Sequence, residues 1–157
     1  MKYVNKGVVF QEIPDEGTLS INISNCPCHC PGCHSKYLWE DIGTPLNVMS
    51  LGVMLDTYGD DVTCVAFMGG DSETEEVNQL AAFVRQNYPH LKTAWYSGRQ
   101  EISDNIHLEN FDFVKTGPYI SEKGALTSST TNQRMYRITD GGKTLTDITS
   151  GFWKKRK

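Results

Sequence analysis

Apolar residues recur along this chain with two periods, and segments of one period alternate with segments of the other. Leu19, Ile21 and Ile23 share one side of an alternating run and Ser20 and Asn22 the other, so Thr18 to Ile23 reads as a strand. Val8 to Ile13 is a short apolar run that predicts an earlier strand. Asn47 to Tyr58 carries Val48, Leu51 and Leu55 at helical spacing. Val62 to Met68 is continuously apolar, is rich in β-favouring types and stops at Gly69-Gly70, which predicts a buried, parallel strand. Glu73 to Tyr88 gives the strongest helix, with Val77, Leu80, Ala81 and Val84 on one face, acids in the first turn and Pro89 after its end. Leu91 to Tyr96 and Phe111 to Lys115 predict two more strands, stopped by Ser97-Gly98 and Gly117-Pro118. A single helical turn is expected at Ser35 to Glu40 and a strand at Arg134 to Ile138.

Strands separated by helical patterns imply βαβ units and an α/β fold. Ligands of such folds gather at the carboxyl ends of the strands. The segment after Ile23, the Gly69-Gly70-Asp71 turn, Ser97-Gly98 and Gly117-Pro118 each follow a predicted strand, so all four are expected on one rim. The 157 residues, 38% of them hydrophobic, suit one domain over 1–157 with a core that needs no disulfide.

The formal charge of -4 gives no general attraction to nucleic acid, and no apolar stretch reaches the length of a membrane span. The basic run Lys154-Lys155-Arg156-Lys157 reads as a solvated tail. Met1 to Phe10 lacks a signal-peptide pattern, so a cytoplasmic, reducing location is expected.

That location changes the meaning of the cysteines. Four of five lie in Asn25-Cys26-Pro27-Cys28-His29-Cys30-Pro31-Gly32-Cys33-His34, and clustered cytosolic thiols point to metal or redox chemistry rather than disulfides. Thiolates select iron–sulfur clusters, zinc or copper(I). Zinc could draw on Cys26, Cys28, Cys30 and Cys33, or on His29 and His34, but zinc sites usually take paired ligands from two chain segments and no second pair exists here. Cysteines spaced by three and then two residues let one loop present three sulfurs to three irons of a cubane and leave the fourth iron open. Cys64, inside an apolar strand, reads as inert core.

The Cys26–Cys30–Cys33 spacing resembles the signature of the radical S-adenosylmethionine superfamily. That resemblance implies a [4Fe-4S] cluster on Cys26, Cys30 and Cys33, with Cys28 a bystander and S-adenosyl-L-methionine at the open iron. Gly69-Gly70-Asp71 resembles the superfamily's Gly-Gly-Glu motif, whose backbone holds the methionine amino group. The bland reading of that turn is a strand-to-helix connection with Asp71 as helix cap.

Trp39, Trp95-Tyr96-Ser97-Gly98, Gly117-Pro118-Tyr119 and Thr131-Asn132-Gln133-Arg134 extend the likeness to the branch of small activating proteins for the anaerobic, class III ribonucleoside-triphosphate reductase. In this chain Asn25 stands where Gly often precedes the first cysteine. The resemblance implies a shortened, incomplete (βα) barrel of the radical S-adenosylmethionine type. It also implies cofactor contacts at Gly69, Gly70, Asp71, His34, Ser97 and Asn132, with the chemistry carried by cluster and cofactor rather than by a catalytic side chain. The implied partners are the reductase, which would lose hydrogen from one backbone glycine, and a low-potential electron donor such as flavodoxin or ferredoxin. A formate-lyase-type activase, a deazaguanine-synthase-like enzyme and a zinc-binding interaction module are the alternatives.

Overall fold

The computed structural model describes residues 1–30, 33 and 35–153. Its strands are β1 (Lys2–Val9), β2 (Thr18–Ile23), β3 (Thr44–Pro45), β4 (Cys64–Met68), β5 (Lys92–Tyr96), β6 (Phe113–Thr116), β7 (Arg134–Thr139) and β8 (Thr144–Asp147). The helices are α1 (Val48–Tyr58) and α2 (Thr74–Asn87). All eight strands form one mixed sheet in the order β3-β1-β2-β4-β5-β6-β7-β8.

The centre of the sheet is parallel: β2 pairs with β4, β4 with β5, and β5 with β6. The flanking pairs, β1 with β2 and β6 with β7, are antiparallel. Helix α1 lies in the connection from β2 to β4, and α2 joins β4 to β5. Both helices pack on the same face. Leu51 and Leu55 of α1 and Val77, Leu80 and Val84 of α2 share one core with Leu19, Ile21, Val65, Phe67, Trp95 and Val114. Burial of such side chains contributes about 1.5–3 kcal/mol each, so this layer is the main source of stability. The alternate residues of the same strands, Cys64, Ala66, Ala94 and Phe113, face the other side and meet Met135 and the coil residues Ile13 and Leu126.

Several expected elements shift. The run Val8 to Ile13 is not a strand: β1 occupies Lys2–Val9, and Ile13 is a fully buried coil residue under the second face. In α1 the buried set is Leu51, Met54 and Leu55, while Val48 is 42% exposed at the first turn. Asn47 caps that helix, accepting from the backbone N–H groups of Met49 and Ser50, as a short polar acceptor at an N-cap does. Helix α2 needs no cap from Asp71, because its N-cap position is Glu73. Among the described residues no helix is long and apolar enough to cross a membrane.

Candidate metal centre

Strand register lines up the rim. Asn22 lies opposite Met68, Met68 opposite Tyr96, and Tyr96 opposite Lys115. The segments that leave the sheet just beyond this row are Ser24-Asn25-Cys26, Gly69-Gly70-Asp71, Ser97-Gly98 and Gly117-Pro118, so all four reach the same edge.

The cysteine loop is fixed at its base by two backbone bonds to the returning chain. The Asn25 N–H donates to Glu40 O at 2.9 Å and the Cys26 N–H to Leu38 O at 2.8 Å. Asn25 has a φ of +61°, the left-handed region where glycine and then asparagine are most at ease, which accounts for an Asn at that position. Ser72 Oγ donates to Asn25 O at 3.1 Å and ties this base to the segment after β4. The loop ends in the short helix Lys36–Trp39, and the His29 ring stacks on Trp39 with centroids 4.6 Å apart. Cys26, Cys28, Cys30 and Cys33 are free thiols, all partly buried. The Cys33 N–H donates to Cys30 O at 3.0 Å, and Cys33 Sγ accepts from the Ser35 N–H at 3.4 Å. His34 lies outside the described residues, as does the basic tail at 154–157.

Asp71 is the hub of the edge. It is 5% exposed. One carboxylate oxygen accepts from Ser97 Oγ at 2.5 Å, and the other accepts from the Gly98 N–H at 2.8 Å and from the Cys28 thiol at 3.7 Å. The Arg99 guanidinium donates to its backbone carbonyl at 3.3 Å. Burial, reinforced by the Asp71 carboxylate and by Cys26 and Cys30, pushes the Cys28 thiol up to about 12. The resemblance makes Cys28 a bystander; in the structure it makes the only loop thiol contact to Asp71 among the described residues.

Gly69 and Gly70 take φ values of +122° and +92°, so the turn needs both glycines for its backbone path. The Gly69 carbonyl accepts from the fully buried Trp95 indole N–H at 2.7 Å, and the Gly69 N–H donates to Tyr96 O at 3.1 Å. Trp95 thus fastens the turn to the neighbouring strand. Trp95→Phe leaves that carbonyl without its donor and a gap beside it. We expect a loss of about 2–3 kcal/mol in urea unfolding. Stability within about 0.5 kcal/mol of the parent would show that the indole does not fasten the turn.

Lys115, by sequence a strand residue, is 8% exposed and donates from Nζ to Ser97 O at 3.1 Å and Gly117 O at 2.7 Å. Burial pushes its ammonium down to about 8, while Cys30, Asp71, Cys28 and Cys26 oppose that shift. The available signal is a lysine that alternates with Phe113 on the inward side of the strand. Together with Tyr96, Gln133, Leu126 and Phe152 it lines a cavity of about 300 Å³ on the face away from the helices. Asn132 sits further along the edge. Its amide N–H groups donate to Gln100 Oε1 at 3.0 Å and Pro118 O at 3.1 Å, and its Oδ1 is buried without a partner. The structure therefore joins the cysteine loop, Asp71 and Ser97 directly, with Lys115 bonded to the Ser97 carbonyl, and leaves Asn132 one step away.

Among the described residues no three His, Cys, Asp or Glu side chains converge on a point that one metal ion could fill. A cubane makes no such demand, because each iron takes its own thiolate. Free thiols spaced along one loop, with a buried cation among their neighbours, fit a cluster whose core carries negative charge.

The fold and this loop define an iron–sulfur protein whose cluster loop opens from the carboxyl edge of a parallel sheet. The sequence model of the 4Fe-4S single cluster domain matches residues 16–139, and the chain belongs to that family. No curated protein sequence and no solved structure matches the chain.

Proposed function

We propose that this protein is a radical S-adenosylmethionine activase that installs a glycyl radical in an anaerobic, class III ribonucleoside-triphosphate reductase. The observation that carries the reading is the alignment of the Cys26–Cys30–Cys33 loop with the Gly69-Gly70-Asp71 turn and with Ser97-Gly98 on one sheet edge. On this reading Cys26, Cys30 and Cys33 hold the cluster. When bound, cluster and S-adenosylmethionine supply one electron and a 5′-deoxyadenosyl radical able to take hydrogen from carbon.

The chain's own residues do the positioning. Trp95 holds the Gly69 carbonyl, so the Gly-Gly backbone keeps one shape at the edge. Ser97 and Gly98 lock the Asp71 carboxylate, which keeps the strand ends of β4 and β5 at fixed separation. Lys115 places a buried positive charge behind this edge, on the side where an anionic group of a cofactor would be neutralised. On this reading the sheet, with α1 and α2 on one face, would serve as the shortened, incomplete (βα) barrel of such an activase, and a protein substrate would approach from the opposite face, over the cavity lined by Tyr96 and Lys115.

Anaerobic reconstitution with iron and sulfide, reduction by dithionite or reduced flavodoxin, and chromatography for 5′-deoxyadenosine test the reading. Release of the nucleoside, and a glycyl-radical doublet in the electron paramagnetic resonance spectrum once the reductase is added, are expected. Anaerobic protein that is colourless and holds zinc without iron or sulfide would overturn it.

A further inference from the structure

Among the described residues the loop between Cys26 and Cys30 has few hydrogen bonds to the body of the protein. Its base is bonded at Asn25 and Cys26, and His29 stacks on Trp39, which belongs to the same excursion of chain. Among the described residues Cys28 is the loop side chain between them that reaches a strand end. Its thiol donates to Asp71 Oδ2 at 3.7 Å and sits over Gly98, where a Cβ atom would fall 2.8 Å from Cys28 Sγ and 3.2 Å from Cys28 Cβ. Real Cβ atoms do not approach sulfur that closely, so the seat exists because residue 98 is glycine. The acceptor is equally fixed, since Asp71 is held by Ser97 Oγ and the Gly98 N–H.

We propose that Cys28 is a positioning residue: its thiol, seated on Gly98 and donating to Asp71, pins the ligand loop to the ends of β4 and β5 and is thereby held out of the iron coordination sphere. The inference rests on the assignment of Cys26, Cys30 and Cys33 as ligands. Two neighbours of the middle of the loop are then set by one contact. Pinning residue 28 limits how far Cys26 and Cys30 can separate, and engaging its sulfur with Asp71 keeps a fourth thiol from closing the open iron. A loop held in this way gives up iron slowly.

The test compares reconstituted wild-type, Cys28→Ala, Cys28→Ser, Gly98→Ala and Cys28→Ala/Gly98→Ala proteins by the rate of iron release to a colorimetric chelator under argon. Melting of each metal-free protein is measured alongside. Cys28→Ala should lose iron about tenfold faster than wild type, the usual scale for a residue that orients ligands. Its metal-free melting temperature should stay within about 2 °C, because the side chain is only partly buried. Cys28→Ser, which restores a donor, should release iron within about threefold of wild type. Gly98→Ala should behave like Cys28→Ala, and the double variant should be no faster than Cys28→Ala alone, since removing the sulfur vacates the space the new methyl fills.

Wild-type release kinetics in Cys28→Ala, or effects that multiply in the double variant, would overturn the inference. So would a Cys28→Ser protein as poor in iron as Cys30→Ser, because Cys28 would then be a ligand. A wild-type protein that keeps its cluster yet never cleaves S-adenosylmethionine would overturn the proposed activity and leave this inference standing.

Discussion

Cys30→Ser protein, reconstituted anaerobically, should come off a desalting column nearly colourless, with less than about a tenth of the wild-type iron and sulfide. Cys28→Ser protein treated in parallel should be brown and close to wild type. Both substitutions exchange one sulfur for oxygen, two positions apart on one loop. What separates them is where the sulfurs go. The Cys28 thiol is engaged by Asp71 and Gly98 at the strand ends. It also resists ionisation, because burial and a neighbouring carboxylate both penalise the thiolate that iron needs. Among the described residues the Cys30 thiol makes no hydrogen bond to Asp71, and the backbone N–H of Cys33 folds back onto the Cys30 carbonyl, which keeps these two candidate ligands on one turn. Cys26→Ser and Cys33→Ser should match Cys30→Ser. Equal loss of iron from the Cys28 and Cys30 variants would mean that the ligand set has been drawn wrongly.

Gly70→Ala should destabilise the protein strongly for a single added methyl. A Cβ there would lie 2.5 Å from Cγ2 of Val77 and 3.3 Å from Met1 Sδ, and residue 70 has a φ of +92°. Val77 is fully buried in the first turn of α2, so it has no free direction in which to yield. Backbone strain and overpacking together cost about 2–4 kcal/mol. For a chain of this size that is a fall of about 5–15 °C in melting temperature. Gly7→Ala is the control, because nothing lies within 4 Å of its new methyl, and its effect should stay within about 0.5 kcal/mol. Metal-free protein followed by circular dichroism is sufficient for both. A Gly70→Ala protein that melts with the parent would show that the turn relaxes more easily than its packing implies.

The elements legible in the sequence are those whose burial follows a single period. Val77, Leu80, Ala81 and Val84 repeat at helical spacing, and α2 buries all four. The run that becomes β4 is apolar on both faces because it is covered on both: Val65 and Phe67 meet the helices, Cys64 and Ala66 the coil. The elements that escaped are those without such a pattern. Strand β1 is Lys2–Val9, with no fully buried residue, and it exists because it pairs with β2. The edge strand β8 is exposed at all four positions, so only its pairing with β7 defines it.

The site divides in the same way. Cysteine spacing and the strand-end glycines are visible as local patterns, and the parallel register brings them together. The Cys28–Asp71–Ser97 contacts join residues 26 and 43 positions apart, and no local pattern encodes them. Asp71 in particular looks like a helix cap in one dimension, whereas in the fold its carboxylate faces the next strand.

The sheet surface opposite α1 and α2 is roofed by Ile13 and Leu126 from connecting segments and by Phe152 from the short 3-10 helix Thr149–Phe152. Trp153 fastens part of that roof by donating its indole N–H to Leu126 O at 3.0 Å. A cover of this kind hangs on side chains and turns, and the strand ladders below do not depend on it. Exchanges along residues 118–131 can therefore reshape the opening above Tyr96 and Lys115 while the metal-binding edge keeps its alignment.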